Sequence, residues 1–436
     1  MGAPLARREH LEGAQGHVNP RSGGGDPPNS GPVRRDSKAR EKRWLTPGVQ
    51  GIGAASLLSD LGHEVPTALL PRLITSLGGS AAALGLIEGI SDGLSGLARL
   101  LGGAVADDPV RRRSAAVGGY MTTAILSGLI GAATSVWQVG VLRAGAWAAR
   151  GLRGPARNAL LAEAVPSEAY GRAYGFERAM DNLGAIGGPV VALALVAVLS
   201  VRTTILLSTI PGLLAVAAIF YALRHISSSS GQQREHFRIH IGPVIRGPLG
   251  RLLVGITAFE LGNIAATLLI LRSTELLEPT RGASAATSAA LLLYLAYNVA
   301  ASLISIPAGQ ASDRIGPVRV LACGVLLFLI AYLLFLWSGP DIPLLAGGFV
   351  LAGMGKGCAE TAEHTAVAVS SSPEIRGSAF GVLAALQSFG NLAASGIAGI
   401  VWSAASPDAA FSYLAAWMGI ALTSLFVFTP SQPSAL

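Results

Sequence analysis

The amino-acid sequence predicts an all-α membrane protein of about twelve transmembrane helices, arranged as two pseudo-symmetric six-helix bundles. Three observations predict it. The chain repeats itself: at a constant shift of 206 residues Gly103 and Asp107 fall on Gly309 and Asp313, and Asp92 on Asn298. At the same shift Arg150-Gly151 falls on Lys356-Gly357, Gly171-Arg-Ala-Tyr-Gly175 on Gly377-Ser-Ala-Phe-Gly381, Glu168 on Glu374 and Gly184 on Gly390. The composition, 51% hydrophobic and 13% charged with a mean hydropathy of +0.52, lies outside the range of water-soluble domains. Apolar stretches long enough to cross the roughly 30 Å hydrocarbon layer as helices recur about twelve times. A duplicated apolar unit of this size points to a transporter built of two bundles.

Residues 1–44 are rich in Gly, Pro, Ser and Arg with no apolar run, so the sequence predicts a disordered basic cytoplasmic tail there. The start has no 7–15-residue apolar core, so a cleaved signal peptide is not expected. Spans are then expected near 49–77, 81–106, 114–133, 136–160, 171–199 and 203–223 in an N-terminal bundle over 45–224. A cytoplasmic linker follows at 225–249, and a C-terminal bundle over 250–430 holds spans near 250–277, 284–311, 318–338, 342–369, 376–404 and 408–429, before a tail at 431–436. The first, fifth and seventh spans carry enough polar residues to score weakly on hydropathy. Cys323 and Cys358 both fall within spans, where packing is expected in place of bridging or metal binding.

Basic residues set the orientation. Arg34, Arg35, Lys38, Arg40, Lys42 and Arg43 precede span one, and Arg111 to Arg113 follow span two. Arg150, Arg153, Arg157 and Arg172 surround the fourth turn, and Arg224, Arg234, Arg238, Arg246 and Arg251 the joint between repeats; the opposite loops carry chiefly Arg202 and Arg281. This asymmetry places both termini in the cytoplasm of a multi-pass cell-membrane protein. The formal charge of +7 then reflects topology and the lipid surface, with no nucleic-acid partner.

The loop Gly309-Gln-Ala-Ser-Asp313-Arg314-Ile-Gly316-Pro-Val-Arg319 resembles the signature that major facilitator superfamily (MFS) transporters carry between the second and third helices of each half. The first copy, Gly103 to Arg113, keeps Gly103, Asp107 and Arg111 but has Asp108 in place of a basic residue and lacks the second Gly. The resemblance implies the MFS fold, and a gating role for Gly103, Asp107, Arg111, Gly309, Asp313, Arg314 and Gly316. Val141-Leu142-Arg143 is similar to the family element that sets an arginine in the membrane near the substrate and proton sites, with Trp147 where the family has glycine. Gly184-Ala-Ile-Gly187-Gly188-Pro189 is similar to the glycine-proline element of exporters that work by antiport, although Val190-Val191-Ala192 replaces its second glycine pair. Helix packing through small residues is the competing reading of that stretch.

Function is carried by ionisable groups inside spans, because a charge at the bilayer centre costs roughly 2.5–3.5 kcal/mol on insertion scales and marks a cavity or a partner. Asp60, His63 and Glu64 share one face of span one, Glu88 and Asp92 one face of span two, and Glu260 and Asn263 one face of span seven. Arg143 lies in span four, and Glu360, Glu363 and His364 lie in span ten. These eleven residues are the expected proton-coupling and substrate cavity, with Asp60 or Glu64 giving up a proton on pairing with Arg143, and His63 or His364 titrating. Glu177, Arg178, Asp181 and Arg150 to Arg157 lie closer to the cytoplasmic end and read as packing pairs.

The sequence therefore predicts a proton-coupled secondary transporter of a small organic compound, exporting it by antiport as a monomer. No nucleotide-binding loop and no nucleophile-and-base motif is present, so neither ATP drive, a cofactor nor an enzyme is expected. Symport of an anionic metabolite on Arg143 and Lys356, and divalent-metal export by Glu360, Glu363 and His364 facing Asp60, His63 and Glu64, are the alternatives within transport. A non-transporting scaffold or sensor leaves the buried charges unexplained.

Overall fold

In the computed structural model, residues 44–226, 240–246 and 248–428 are described. The expected basic tail with its cluster Arg34 to Arg43, Arg234 and Arg238 of the linker, and the C-terminal tail lie outside these residues.

The first six spans are α1 (Pro47–Ser76), α2 (Ala81–Asp107), α3 (Pro109–Leu129), α4 (Val136–Glu163), α5 (Tyr170–Val196) and the pair α6 (Val201–Leu207) and α7 (Thr209–His225). A short helix, α8 (Ile241–Arg246), precedes the second six. These are the pair α9 (Pro248–Glu260) and α10 (Ala266–Arg281), then α11 (Ala283–Ile315), α12 (Pro317–Trp337), α13 (Ile342–Ser370), α14 (Arg376–Ala404) and α15 (Pro407–Phe428). Caps explain several starts: Thr46 and Ser80 accept from Val49 N and Ala83 N at 3.3 and 3.2 Å, and Asp108 from Val110 N at 2.8 Å. Pro47, Pro109 and Pro317 occupy first turns, where a missing N–H costs nothing. Gly316, at φ +91°, makes the one-residue turn from α11 to α12.

Among the described residues, eight helical segments are long and apolar enough to span a membrane on length and composition alone. The exceptions are α1, α2, α4 and the seventh span, which between them hold Asp60, Glu88, Arg143, Arg150 and Glu260. The fifth span, expected to score weakly, passes: its charges end at Asp181 and an apolar run follows. The seventh, expected as one helix, is broken over 261–265. Its freed backbone groups are satisfied within the bundle, as lipid-depth backbone requires. Tyr332 Oη donates to Gly262 O at 2.9 Å, Asn391 Nδ2 to Asn263 O at 2.7 Å, and Ala265 N to Ser395 Oγ at 2.8 Å.

Packing repeats between the halves. α1 packs on α5 and α7 and α2 on α4, as α9 packs on α14 and α15 and α11 on α13. The halves meet along α2 with α14 and α5 with α11. Glycines set that approach: a Cβ on Gly103 would stand 2.8 Å from Gly377 O, and one on Gly309 2.2 Å from Gly171 O. The same glycine stripe of α2 meets nothing within 4 Å at Gly85, Gly89 and Gly93, and α14 likewise at Gly396 and Gly399. The halves are therefore closed at the linker end and part towards the other end, leaving a cleft.

Candidate functional site in the cleft

Two aspartates close the linker end in the same way. Asp107 Oδ1 accepts from Ser378 N at 2.9 Å, and its Oδ2 meets the Ser378 hydroxyl and, at 3.3 Å, His240 Nδ1. Asp313 accepts from Gly171 N at 2.6 Å, Arg172 N at 3.1 Å and Arg172 Nε at 2.8 Å. Each carboxylate thus caps the first turn of a helix in the opposite half, where unpaired N–H groups and the helix dipole favour an anion.

The other gate assignments are corrected in part. Arg111 is exposed and pairs only with Asp108, at 3.5 Å, because Asp108 is drawn to the N-cap of α3. The buried basic group there is Arg112, which donates to Ala106 O at 2.5 Å and pairs with Glu163. Arg314 is exposed, and the arginine at Asp313 is Arg172, which projects from the capped helix itself.

Above the gate, α1 and α4 build a charged cluster. Arg150 Nη2 lies 3.2 Å from Asp60, and Arg150 Nη1 lies 2.6 Å from His63 Nδ1. An arginine only donates, so the imidazole nitrogen that receives it is an acceptor. Asp60 and Glu64 approach opposite ring nitrogens of His63, at 3.5 and 3.1 Å. Arg143, expected to pair with Asp60 or Glu64, instead meets Glu88 at 3.1 Å and Thr67 Oγ1 at 2.9 Å. Trp147 stands between the two arginines on the same face of α4. Its ring lies 3.6 Å from the Arg143 guanidinium and 5.9 Å from that of Arg150, and its Nε1 donates to Asp92 at 2.8 Å. Asp60 and Arg143 are 3% and 1% exposed, whereas the Glu64 and Glu88 side chains, at 27% and 34%, reach the cleft. Gly184 and Gly188 bring α5 onto this cluster, since Cβ atoms there would fall 2.8 Å from Asp60 Cβ and 2.3 Å from Glu64 Cβ. The glycine-proline stretch is thus a packing surface laid against the acidic residues.

Below it, Arg157 and Arg178 bind Glu177 at 2.8 and 2.7 Å and Asp181 at 3.4 and 3.3 Å, whereas Arg150, read with them as a packing group, pairs with Asp60 above. Arg178 also reaches across to Glu360 of α13, at 3.9 Å.

The second half is built differently. Lys356, the repeat counterpart of Arg150, donates to Asn182 across the interface at 3.1 Å and lies over Tyr297. Glu260 accepts from Asn263 at 3.0 Å and Glu363 from Gln387 at 2.8 Å. His364, expected in the cavity, is 5% exposed and wedged between Tyr174 and Phe380, with Nδ1 2.7 Å from Glu360 O. Among the described residues no three His, Cys, Asp or Glu side chains are grouped to hold a metal ion. The two sets proposed to face each other have other partners: Asp60 and His63 meet Arg150, and Glu363 and His364 meet Gln387 and the aromatic pair. Arg99, not singled out in the sequence, crosses from α2 to Ala384 O and Ser388 Oγ of α14, at 3.1 and 2.6 Å. Its signal was a lone arginine inside an apolar run.

The description Major Facilitator Superfamily matches residues 52–295 and 252–436. The chain belongs to the Major Facilitator Superfamily. An uncharacterized MFS-type transporter of Methanocaldococcus jannaschii is 30% identical over 376 residues, covering 85% of this chain and 92% of that protein. An uncharacterized protein of Mycobacterium tuberculosis is 25% identical over 359 residues, covering 80% and 85%. Among solved structures, a bacterial homologue of the iron transporter ferroportin in an outward-facing state superposes with a TM-score of 0.71 at 14% identity, over 87% of this chain and 99% of that one. The human organic anion transporter MFSD10 gives 0.68 at 18% identity, over 87% and 99%. At these identities the likeness is one of fold. The superfamily membership makes the chain a multi-pass membrane transporter and not an enzyme.

Proposed function

We propose that the chain is a proton-coupled secondary transporter that exports a small organic compound across the cytoplasmic membrane by alternating access, in exchange for protons. The observation that carries this reading is the Asp60–Arg150 ion pair, buried beside His63 at the edge of the cleft. A proton arriving on Asp60 removes its charge and releases Arg150, so protonation and the arrangement of α1 against α4 are linked. Glu64 on the Asp60 face of α1, and Glu88 and Asp92 on one face of α2, are where a cationic or amphiphilic compound competes for the carboxylates that proton entry neutralises. Export rests on the resemblance of Gly184 to Pro189 to the glycine-proline element of exporters.

Arg111 to Arg113, Arg172, Arg246, Arg314 and Arg319 all lie at the linker end, which supports a cytoplasmic position for that end and an outward-opening cleft. Anion symport gains no support, because Arg143 is taken by Glu88 and Thr67, and Lys356 by Asn182 and Tyr297. Addition of a transported organic cation to acid-inside vesicles, with the linker end outward, should collapse the pH gradient in proportion to protein present. A gradient that stays intact while the compound moves refutes the antiport.

A further inference from the structure

Glu260 and Glu363 are 3% and 0% exposed. Among the described residues neither forms an ion pair with a basic side chain, whereas Asp60, Glu88, Glu177 and Asp181 of the first half all do. Glu260 ends α9 where the seventh span unwinds, and broken spans are where transporters of this kind gather ion ligands. Glu363 accepts from Gln387 through Oε2, but its Oε1 is buried with no hydrogen-bond partner. The two carboxylates converge on one stretch of α14. Gln387 holds Glu363, and one turn on, a Cβ at Gly390 would lie 2.5 Å from Glu260 Cβ. They are close enough to act on each other electrostatically, and the other charged groups facing Glu260 are Glu360, which Lys356 offsets, and Arg99.

Two carboxylates out of water are costly unless a proton or a counter-charge neutralises them. Arg99 supplies one positive charge, anchored on α14 beside Gln387. A proton on Glu363 would neutralise that group but would use none of the amide and unwound backbone oxygens beside it. A hard cation on Oε1 takes carboxylate, amide and backbone oxygens as its preferred ligands. We propose that Glu260 and Glu363, with the amide side chains of Asn263, Gln387 and Asn391, form a binding site for a single small monovalent metal cation, sodium, in the second half of the bundle.

Resting on the alternating-access reading above, the site has a built-in link to the cycle. Arg99 belongs to α2, so opening the linker end separates it from α14, removes its charge and raises cation affinity in that state. The test uses the purified full-length chain in detergent at pH 8, titrated with sodium chloride or choline chloride, with radioactive sodium for direct binding. Sodium should raise the melting temperature saturably while choline does not. Glu363→Gln should abolish the rise, and Glu260→Gln should weaken sodium binding at least about tenfold. Equal stabilisation by the two salts, or sodium binding unchanged in both variants, overturns the proposal. So does stabilisation by acid alone without sodium dependence, which identifies a proton as occupant. Direct binding to the unsubstituted chain reads the site even where a variant fails to fold. None of these readings depends on whether Asp60 couples transport to pH, so the two proposals fail separately.

Discussion

Arg150 and Lys356 stand at equivalent positions of the repeat yet hold different partners: Arg150 binds Asp60 of its own half at 3.2 Å, while Lys356 binds Asn182 of the other half at 3.1 Å. The carboxylates they would equally serve are placed alike, since Asp60 packs on Gly184 and Glu260 on the corresponding Gly390. The duplication therefore kept the backbone frame and divided the charges. At these positions the first half sets a cation on its carboxylate, and the second sets amides on Glu260 and Glu363.

The gate aspartates give the plainest prediction. Asp313→Asn removes the charge from three bonds to Gly171 and Arg172, and charge-assisted bonds are each worth about 1.5–3 kcal/mol. The closed state should lose tenfold or more in population, because about 1.4 kcal/mol is a factor of ten. Transport rate in vesicles should fall while substrate affinity stays within a few-fold. An unchanged rate removes Asp313 from the gate.

Gly171→Ala should act at the same place through volume. Its Cβ would stand 2.2 Å from Gly309 O, against backbone that has no side chain to swing aside. Nitroxide labels at the exposed Ser167 and Ile315 should report a longer distance at the linker end than in the unsubstituted chain. An unaltered distance distribution means that α5 and α11 approach less closely in the membrane.

Much of this was legible in the sequence, and the failures share a cause. The shift of 206 residues exposed the halves, and intramembrane charges marked α1, α2, α4 and α13 as functional. Side-chain partners were not legible, because a span's sequence gives the face of a helix and not its rotation against its neighbours. Arg143 and Arg150 are two turns apart on one face, and only the packing of α4 on α1 decides that Arg150 reaches Asp60. His364 follows Glu363 directly, yet one points into aromatic rings and the other to Gln387. Arg112 replaced Arg111 because Asp108 began a helix that the sequence placed five residues later. The break at 261–265 was hidden because apolar residues flank Gly262 and Asn263, and its stability depends on Tyr332 and Asn391, far away in the chain.

Trp147 should prove a positioning residue for the charged cluster. Trp147→Phe keeps a ring over Arg143 but loses the 2.8 Å bond to Asp92, and Trp147→Ala loses both. With cation–π contacts worth about 0.5–2 kcal/mol, the alanine variant should weaken binding of an organic cation by several-fold more than phenylalanine does. It should also shift the pH profile of transport, which a purely structural defect would leave in place. Equal behaviour of the two variants would argue that the ring only fills space.

The most direct test of the account is accumulation of ethidium, as a fluorescent organic cation, by acid-inside vesicles with the linker end outward. The unsubstituted chain should concentrate the dye against its gradient while protons leave. Asp60→Asn, which keeps the shape of the site and removes the charge that Arg150 binds, should abolish that accumulation yet still let the dye equilibrate downhill. Accumulation by Asp60→Asn equal to that of the unsubstituted chain would contradict coupling through the Asp60–Arg150 pair.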